Sequence, residues 1–232
     1  MVENNIAVGI DIGLKGGISI YDINKKEFIA LYEMPIVSEQ GHNVLDVKEL
    51  YSILNKYNIK LIVIEKISNI YGVSKSTMFS LGKQIGYITS YSIYKNIKLI
   101  EILPKTWEYY FYKGHDLEVE DISMLNDDTI YLEYCDKYDI NIKKIKSFCT
   151  FYKIPPKNLE ILSNYLEITM NKITSFKLQK IKTMKCLVDI YGIDLLKKCY
   201  VRNNVYDGIV DSIMLLRYCI ENNLIWFGNL IF

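Results

Sequence analysis

Two short runs of mainly β-branched residues, IAVGI at 6–10 and LIVI at 61–64, each give out onto a carboxylate, Asp11 after the first and Glu65 after the second. Runs this apolar are strands covered on both faces, so they belong inside a sheet with helices packed against it. A charge on such a strand is costly to bury alone. It becomes tolerable where the strand emerges at the carboxyl edge of the sheet, which is where open α/β sheets place their ligands. These two runs therefore narrow the chain to an α/β fold with acidic groups at a sheet edge.

The rest of the chain fills in around them. IAVGIDIG (6–13) and GGISIYDI (16–23) predict a hairpin turning through LKGG, and EFIALYEMPI (27–36) predicts a third strand stopped by Pro35. LDVKELYSILNKYN (45–58) has apolar residues at helical spacing, with Asn43 or Asp46 as its cap, and KLIVIEK (60–66) is the buried strand that follows. SKSTMFSLGKQIGYITSYSIYKN (74–96) predicts a long core helix opened by Ser74, with Met78, Leu81, Ile85 and Ile88 along one face. A strand over 97–104 and a short aromatic helix over 105–114, ended by Gly114, come next. The stretch 115–180 is acidic at its start, is broken by Pro155–Pro156 and lacks strand patterning, so it is expected to be a helical insertion in a single domain spanning 1–232. Helices over 178–192 and 207–222 close the chain, the last amphipathic with Ile209 and Ile213 on its apolar face.

At 232 residues, half of them apolar, the chain can bury one substantial core. Its formal net charge of +1 neither favours nor disfavours a nucleic-acid partner, and any such surface has to be a local patch. Five cysteines without CxxC spacing argue against a zinc site and against a disulfide framework; buried thiols in a reducing compartment are expected instead. No secretory leader or membrane-length apolar stretch is visible. A soluble intracellular protein is the expectation, in the cytoplasm of a bacterium or of a virus-infected cell, with an organelle left open.

The acidic residues carry the chemistry. Asp207 and Asp211 stand at i and i+4, so on a helix they leave from one face. With Asp11 and Glu65 they make four carboxylates, the kind of hard oxygen set that holds Mg²⁺. Two such ions ~3.5–4 Å apart activate water and stabilise the leaving oxygen in phosphodiester hydrolysis. Each residue also has a plainer use. Asp11 could cap a turn, Glu65 could pair with Lys66 or another lysine at the surface, and Asp207 could cap the last helix with Asp211 as a solvated first-turn acid.

Five segments in order, GIDIGLKGGISIYD at 9–22, IVIEK at 62–66, MFSLGKQIGYI at 78–88, ILPKTWE at 102–108 and DGIVDSI at 207–213, resemble the RuvC-type Holliday junction resolvases of the ribonuclease H-like superfamily, in particular their phage and organelle-like branches. The resemblance covers roughly 1–113 and 180–222 and leaves 115–180 unmatched. It implies an α/β fold built on a ribonuclease H-like mixed five-stranded sheet flanked by helices. It further implies a homodimer that resolves four-way or branched DNA by paired nicking, with Asp11, Glu65 and Asp211 as metal ligands and Asp207 as the fourth. The implied cofactor is a pair of Mg²⁺ ions, replaceable by Mn²⁺, with no nucleotide and no membrane partner. Two departures stand out. Many relatives space the last two ligands three residues apart, where this chain has Gly208, with Asp207 one residue earlier. Relatives also carry a junction-opening aromatic shortly after the second acidic ligand, whereas Ser68 stands there in this chain and Tyr71 is the nearest candidate.

Lys75, Lys83, Lys105, Lys182 and Lys185 are candidates for phosphate contacts, each with a solvated surface role as the alternative. Trp107 could stack on a base or anchor its short helix. Two other function classes stay open at this point. GIDIGLKGG also resembles the first phosphate hairpin of actin-like ATP-dependent kinases and ATPases, although no second glycine-rich hairpin or adenosine segment is found. A non-catalytic junction-binding module that kept the fold and lost the chemistry is the other.

Overall fold

The computed structural model describes residues 5–67, 74–113 and 123–224, which divide into two compact units: 1–110 with 197–232, and 111–196.

The first unit is organised by strands β1 (Ile6–Ile10), β2 (Gly17–Asp22) and β3 (Glu27–Glu33), the hairpin β4 (Ile36–Glu39) and β5 (His42–Leu45), helix α1 (Val47–Leu54), strand β6 (Ile59–Glu65), helix α2 (Lys75–Tyr94), strand β7 (Lys98–Ile102) and helix α3 (Pro104–Tyr112). One mixed five-stranded sheet runs in the order β3-β2-β1-β6-β7. The pairs β1/β2 and β2/β3 are antiparallel, while β1/β6 and β6/β7 are parallel. This is the expected mixed five-stranded sheet, and the burial of its strands follows from hydropathy: β1 is buried at every position and so is β2, while β3 at the edge mixes exposed and half-buried residues. Ile6, Val8, Ile10, Ile18, Ile20, Ile62 and Ile64 form the centre of the core.

Three expectations change. The strand expected over 27–36 ends at Glu33, and after Met34 and Pro35 the chain enters the β4–β5 hairpin, which turns through Gln40 (φ 51°) and Gly41 (φ 80°). Two successive positive φ values make the tight turn that suits the right-handed twist of a hairpin. Asn43 is consequently a β5 residue, and α1 is capped by Asp46, whose Oδ1 accepts from Glu49 N at 3.0 Å. Helix α2 starts where expected, with the Ser74 side chain accepting from Thr77 N, but only its second half is core. Ile88 and Tyr91 are buried, whereas Met78 is 39% exposed and Phe79 71%.

The unit returns through the end of α9 (Ile193–Lys198), the two-residue strands β8 (Tyr200–Val201) and β9 (Asn204–Val205), and α10 (Asp207–Glu221). Helix α10 is more enclosed than an amphipathic helix, since every residue from Gly208 to Leu216 is buried. It lies on the sheet at close range. A Cβ on Gly9 of β1 would come 2.3 Å from the Ser212 carbonyl oxygen, and one on Gly208 would come 2.3 Å from that of Lys15. Only hydrogen fits at these positions, and a bridge between Gly16 and Gly208 ties the start of α10 to the β1–β2 turn.

The second unit is helical among the described residues, with a 3₁₀ turn at Ser123–Asn126 and helices α4 (Thr129–Tyr138), α5 (Ile142–Tyr152), α6 (Pro156–Tyr165), α7 (Met170–Ile173) and α8 (Leu178–Tyr191), followed by the first part of α9. Leu125, Tyr131, Ile145, Leu159, Ile173 and Ile181 are buried within it.

Candidate functional site

The parallel register of β1 and β6 places Ile10 beside Ile64. Asp11 and Glu65 therefore leave neighbouring strands at the same level of the sheet's carboxyl edge, on strands ~4.8 Å apart. Both are half-buried. Asp11 is still tied to the sheet through its own N–H, which donates to the Gly17 carbonyl at 3.0 Å. Glu65 is the last residue of β6, and Lys66 N continues the ladder by donating to Ile102 O at 2.8 Å. The carboxylate of Glu65 is also oriented: the indole Nε1–H of Trp107, from α3, donates to its Oε1 at 3.0 Å. Trp107 is only 2% exposed, so it serves as the buried helix anchor and is not presented for base stacking.

The other two carboxylates arrive on α10. Tyr206 is the residue that precedes the helix, and Asp207 is already its first helical residue. Asp207 is thus not the cap, which removes its plainer role, and Asp211 is buried one turn on, so it is not a solvated acid. The Gly16–Gly208 bridge sets Asp207 against the turn that begins at Asp11, and one cleft of about 620 Å³ is lined by Asp11, Gly13, Gly16 and Asp207 together. Burial raises the pKa of the Tyr206 phenol, and the negative charges of Glu33, Asp207 and Asp11 add to the rise, so its hydroxyl shares the field of two of the four carboxylates.

Backbone placement thus brings Asp11 and Glu65 to one level of the sheet edge and sets Asp207 in the cleft beside Asp11. Among the described residues, no three Asp, Glu, His or Cys side chains stand together as ligands around one point. The donor chemistry fits a hard divalent cation: every candidate is a carboxylate, with no thiol and no CxxC pair of the kind zinc takes.

The candidate phosphate contacts are dispersed. Lys75 and Lys83 are exposed on α2, and Lys83 Nζ lies 5.8 Å from the ring centre of Phe79. Lys105 is exposed in the first turn of α3, two residues before Trp107. Lys182 and Lys185 belong to α8 in the helical unit, where Lys185 is 2.7 Å from Asp189 and its charge is partly neutralised. Ser68 and Tyr71 lie outside the described residues.

Two contributors escaped the sequence reading. His42 and Asn43 line the acidic cleft because the β4–β5 hairpin carries them there. The signal for that hairpin was present in the alternation IVSE-QG-HNVL, with a glycine in the second turn position. The Trp107–Glu65 hydrogen bond joins residues 42 apart, and no local pattern announces it.

No family model and no curated protein matches the chain. Among solved structures it is similar to RuvC of Thermus thermophilus, at 8% identity and TM-score 0.44 over 94% of this chain and 96% of that one. The Holliday junction resolvase of fowlpox virus matches at 16% identity and TM-score 0.41, covering 94% of this chain and 99% of that one. The yeast mitochondrial Holliday junction resolvase matches at 12% identity and TM-score 0.35, covering 95% and 82% respectively.

Proposed function

We propose that this chain is a divalent-metal-dependent endonuclease that cuts branched DNA, resolving four-way junctions by paired nicks as a homodimer. The observation that carries the reading is the arrival of Asp11 and Glu65 at adjacent strand ends, with α10 bringing Asp207 against the β1–β2 turn. Carboxylates brought near one another repel, so acidic residues placed at one sheet edge are better explained by a cationic partner than by stability.

Asp11, Glu65, Asp207 and Asp211 would hold the metal. The chemistry supplied by two bound Mg²⁺ ions is an activated water and neutralisation of charge on the departing oxygen. The chain's own part is positional. Trp107 holds the Glu65 carboxylate in one orientation, and the glycines beneath α10 keep Asp207 close to Asp11. Lys75, Lys83 and Lys105, with Lys182 and Lys185, are proposed to meet phosphates, and Tyr71 to act at the junction centre.

The test is incubation of the purified protein with a synthetic four-way junction and Mg²⁺. Paired nicks giving two linear duplexes are expected, with Asp11→Asn reducing the rate by at least about a hundredfold while junction binding persists. Failure of the parent protein to nick any junction in Mg²⁺ or Mn²⁺ overturns the proposal. A second reading, a binding module without catalysis, draws support from the absence of a three-ligand group among the described residues. It predicts junction binding by the parent protein, unchanged in Asp11→Asn, and no cleavage by either.

A further inference from the structure

The helical unit holds a concentration of charge that the whole-chain balance hides. Residues 141–188 carry ten lysines against two glutamates, in a chain whose formal net charge is +1. Part of this charge is neutralised within the unit, where Lys146 lies 2.5 Å from Asp128 and Lys185 2.7 Å from Asp189. Lys143, Lys144, Lys153, Lys157 and Lys177 are exposed.

A groove of about 360 Å³ runs through this basic region, walled by Lys144, Ser147, Phe151 and Tyr152 of α5 and by Phe176 and Lys177 from the segment between α7 and α8. No Asp or Glu lines it among the described residues. Phe151 is 76% exposed, more than any other described phenylalanine. Its ring is nevertheless backed: it meets Tyr152 edge to face, with ring centres 4.8 Å apart, and Tyr152 packs in turn on the buried Phe148, also at 4.8 Å. Lys144 Nζ donates to the Asn171 carbonyl at 2.6 Å and to its Oδ1 at 3.3 Å, which holds the ammonium in place and leaves it one N–H. Lys172 Nζ lies 5.6 Å from the centre of the Phe176 ring and adds a further positive charge.

A single exposed phenylalanine needs no explanation. A backed ring among lysines, in a groove without a carboxylate, has a narrower use. An acidic peptide or a lipid headgroup would satisfy the ammonium groups and leave the ring faces idle. A duplex would offer its phosphates while its bases stay stacked on one another. An unpaired strand offers both, phosphates to the lysines and base faces to the rings.

We propose that this groove binds an unpaired stretch of DNA, with a base stacked on Phe151 and the flanking phosphates at Lys144 and Lys177. The site lies outside the five segments that resemble the resolvases, uses none of the four carboxylates and needs no metal. Only the choice of DNA over RNA rests on the endonuclease reading.

The experiment follows fluorescence anisotropy of a labelled oligothymidylate of about 15 nucleotides as the full chain is added, in EDTA so that binding is read without nicking. The parent protein is expected to bind it, Phe151→Leu to bind about tenfold more weakly, and Phe151→Trp to bind at least as tightly as the parent. Leucine keeps the apolar contact and loses the aromatic face, so this pair separates stacking from simple burial. Phe151→Ala serves as the second variant if Phe151→Leu does not fold. Affinity for a duplex of the same length is expected to stay within about twofold in Phe151→Leu, since paired bases do not reach the ring. The double change Lys144→Gln and Lys177→Gln is expected to lower the slope of log affinity against log salt by about 1.4. No binding by the parent, Phe151→Leu binding as tightly as the parent, or equal losses for duplex and single strand overturns the proposal and leaves the nuclease reading standing. Tighter binding of oligouridylate than of oligothymidylate overturns the assignment to DNA. Failure of the parent to nick junctions in Mg²⁺ bears on the nuclease reading alone.

Discussion

At the residue scale, the places of Asp11 and Glu65 are readable because both obey a simple rule. A carboxylate that closes an apolar strand has few places to go, and Asp11 and Glu65 both took the expected one, at the carboxyl edge of β1 and β6. What orients Glu65 was not readable. The donor is the Trp107 indole, brought in by α3 through tertiary packing. Groups that orient a metal ligand typically change metal affinity or activity by about 10–100-fold when removed. Trp107→Phe, which keeps an aromatic ring and deletes the N–H, is therefore expected to weaken Mn²⁺ binding by about tenfold or more, measured by titration calorimetry. Unchanged affinity in the folded variant would mean that the indole serves packing alone. Sequence alone allows Asp207 as a helix cap, whereas Tyr206 is the residue before α10 and Asp207 its first helical residue.

At the element scale, what matters is how closely α10 lies against the β1–β2 hairpin. Gly208 has no room for a side chain, since a Cβ there would meet the Lys15 carbonyl oxygen at 2.3 Å and Gly16 atoms at 2.6 and 2.7 Å, all of them backbone. Gly208→Ala must push the start of α10 away from the turn, and Asp207 moves with it. A loss of about 1–3 kcal/mol in stability is expected from the overpacking, read by denaturant melting. Nicking should suffer more, by about a hundredfold, because displacements near 1 Å cost that much in positioning. Loss of stability with no loss of nicking rate would separate Asp207 from the chemistry. Element boundaries show why the sequence was legible in some places and not in others. Ser74 caps α2 as its hydroxyl chemistry demands, but spacing alone could not say what would cover Met78 and Leu81. The helix runs past the core, so its second half packs at Ile88 and Tyr91 while Phe79 remains exposed. Pro35 does not end the strand region but separates two hairpins, β2–β3 and β4–β5.

At the scale of the whole molecule, the two units share one thermodynamic feature, their buried thiols. Burial pushes Cys149 up to about 12 and Cys186 to about 11 in the helical unit, and Cys199 and Cys219 to about 12 in the sheet unit, from an ordinary value near 9. The folded state holds these protons more tightly than the unfolded one, so stability is complete below about pH 9 and falls as pH rises toward 12. Thiolates are the reactive form, and at pH 8 a thiol-specific chromogenic reagent should label the half-buried Cys135 first, reaching all five only after denaturation. Rapid native labelling of Cys149 or Cys219 would contradict the burial. The described helices include none long and apolar enough to cross a membrane. Across the whole chain, the five strands of the main sheet and the placing of Asp11 and Glu65 at strand ends are legible because both follow from local hydropathy. Which side chains finally close around a ligand was not, because that depends on contacts spanning much of the sequence. The most direct test is a crystal grown with Mn²⁺ and measured at an energy where manganese scatters anomalously. The account predicts density for the ion between the carboxylates of Asp11, Glu65 and Asp211, lost in Asp11→Asn; manganese bound only elsewhere on the chain, or none bound at that sheet edge, would contradict it.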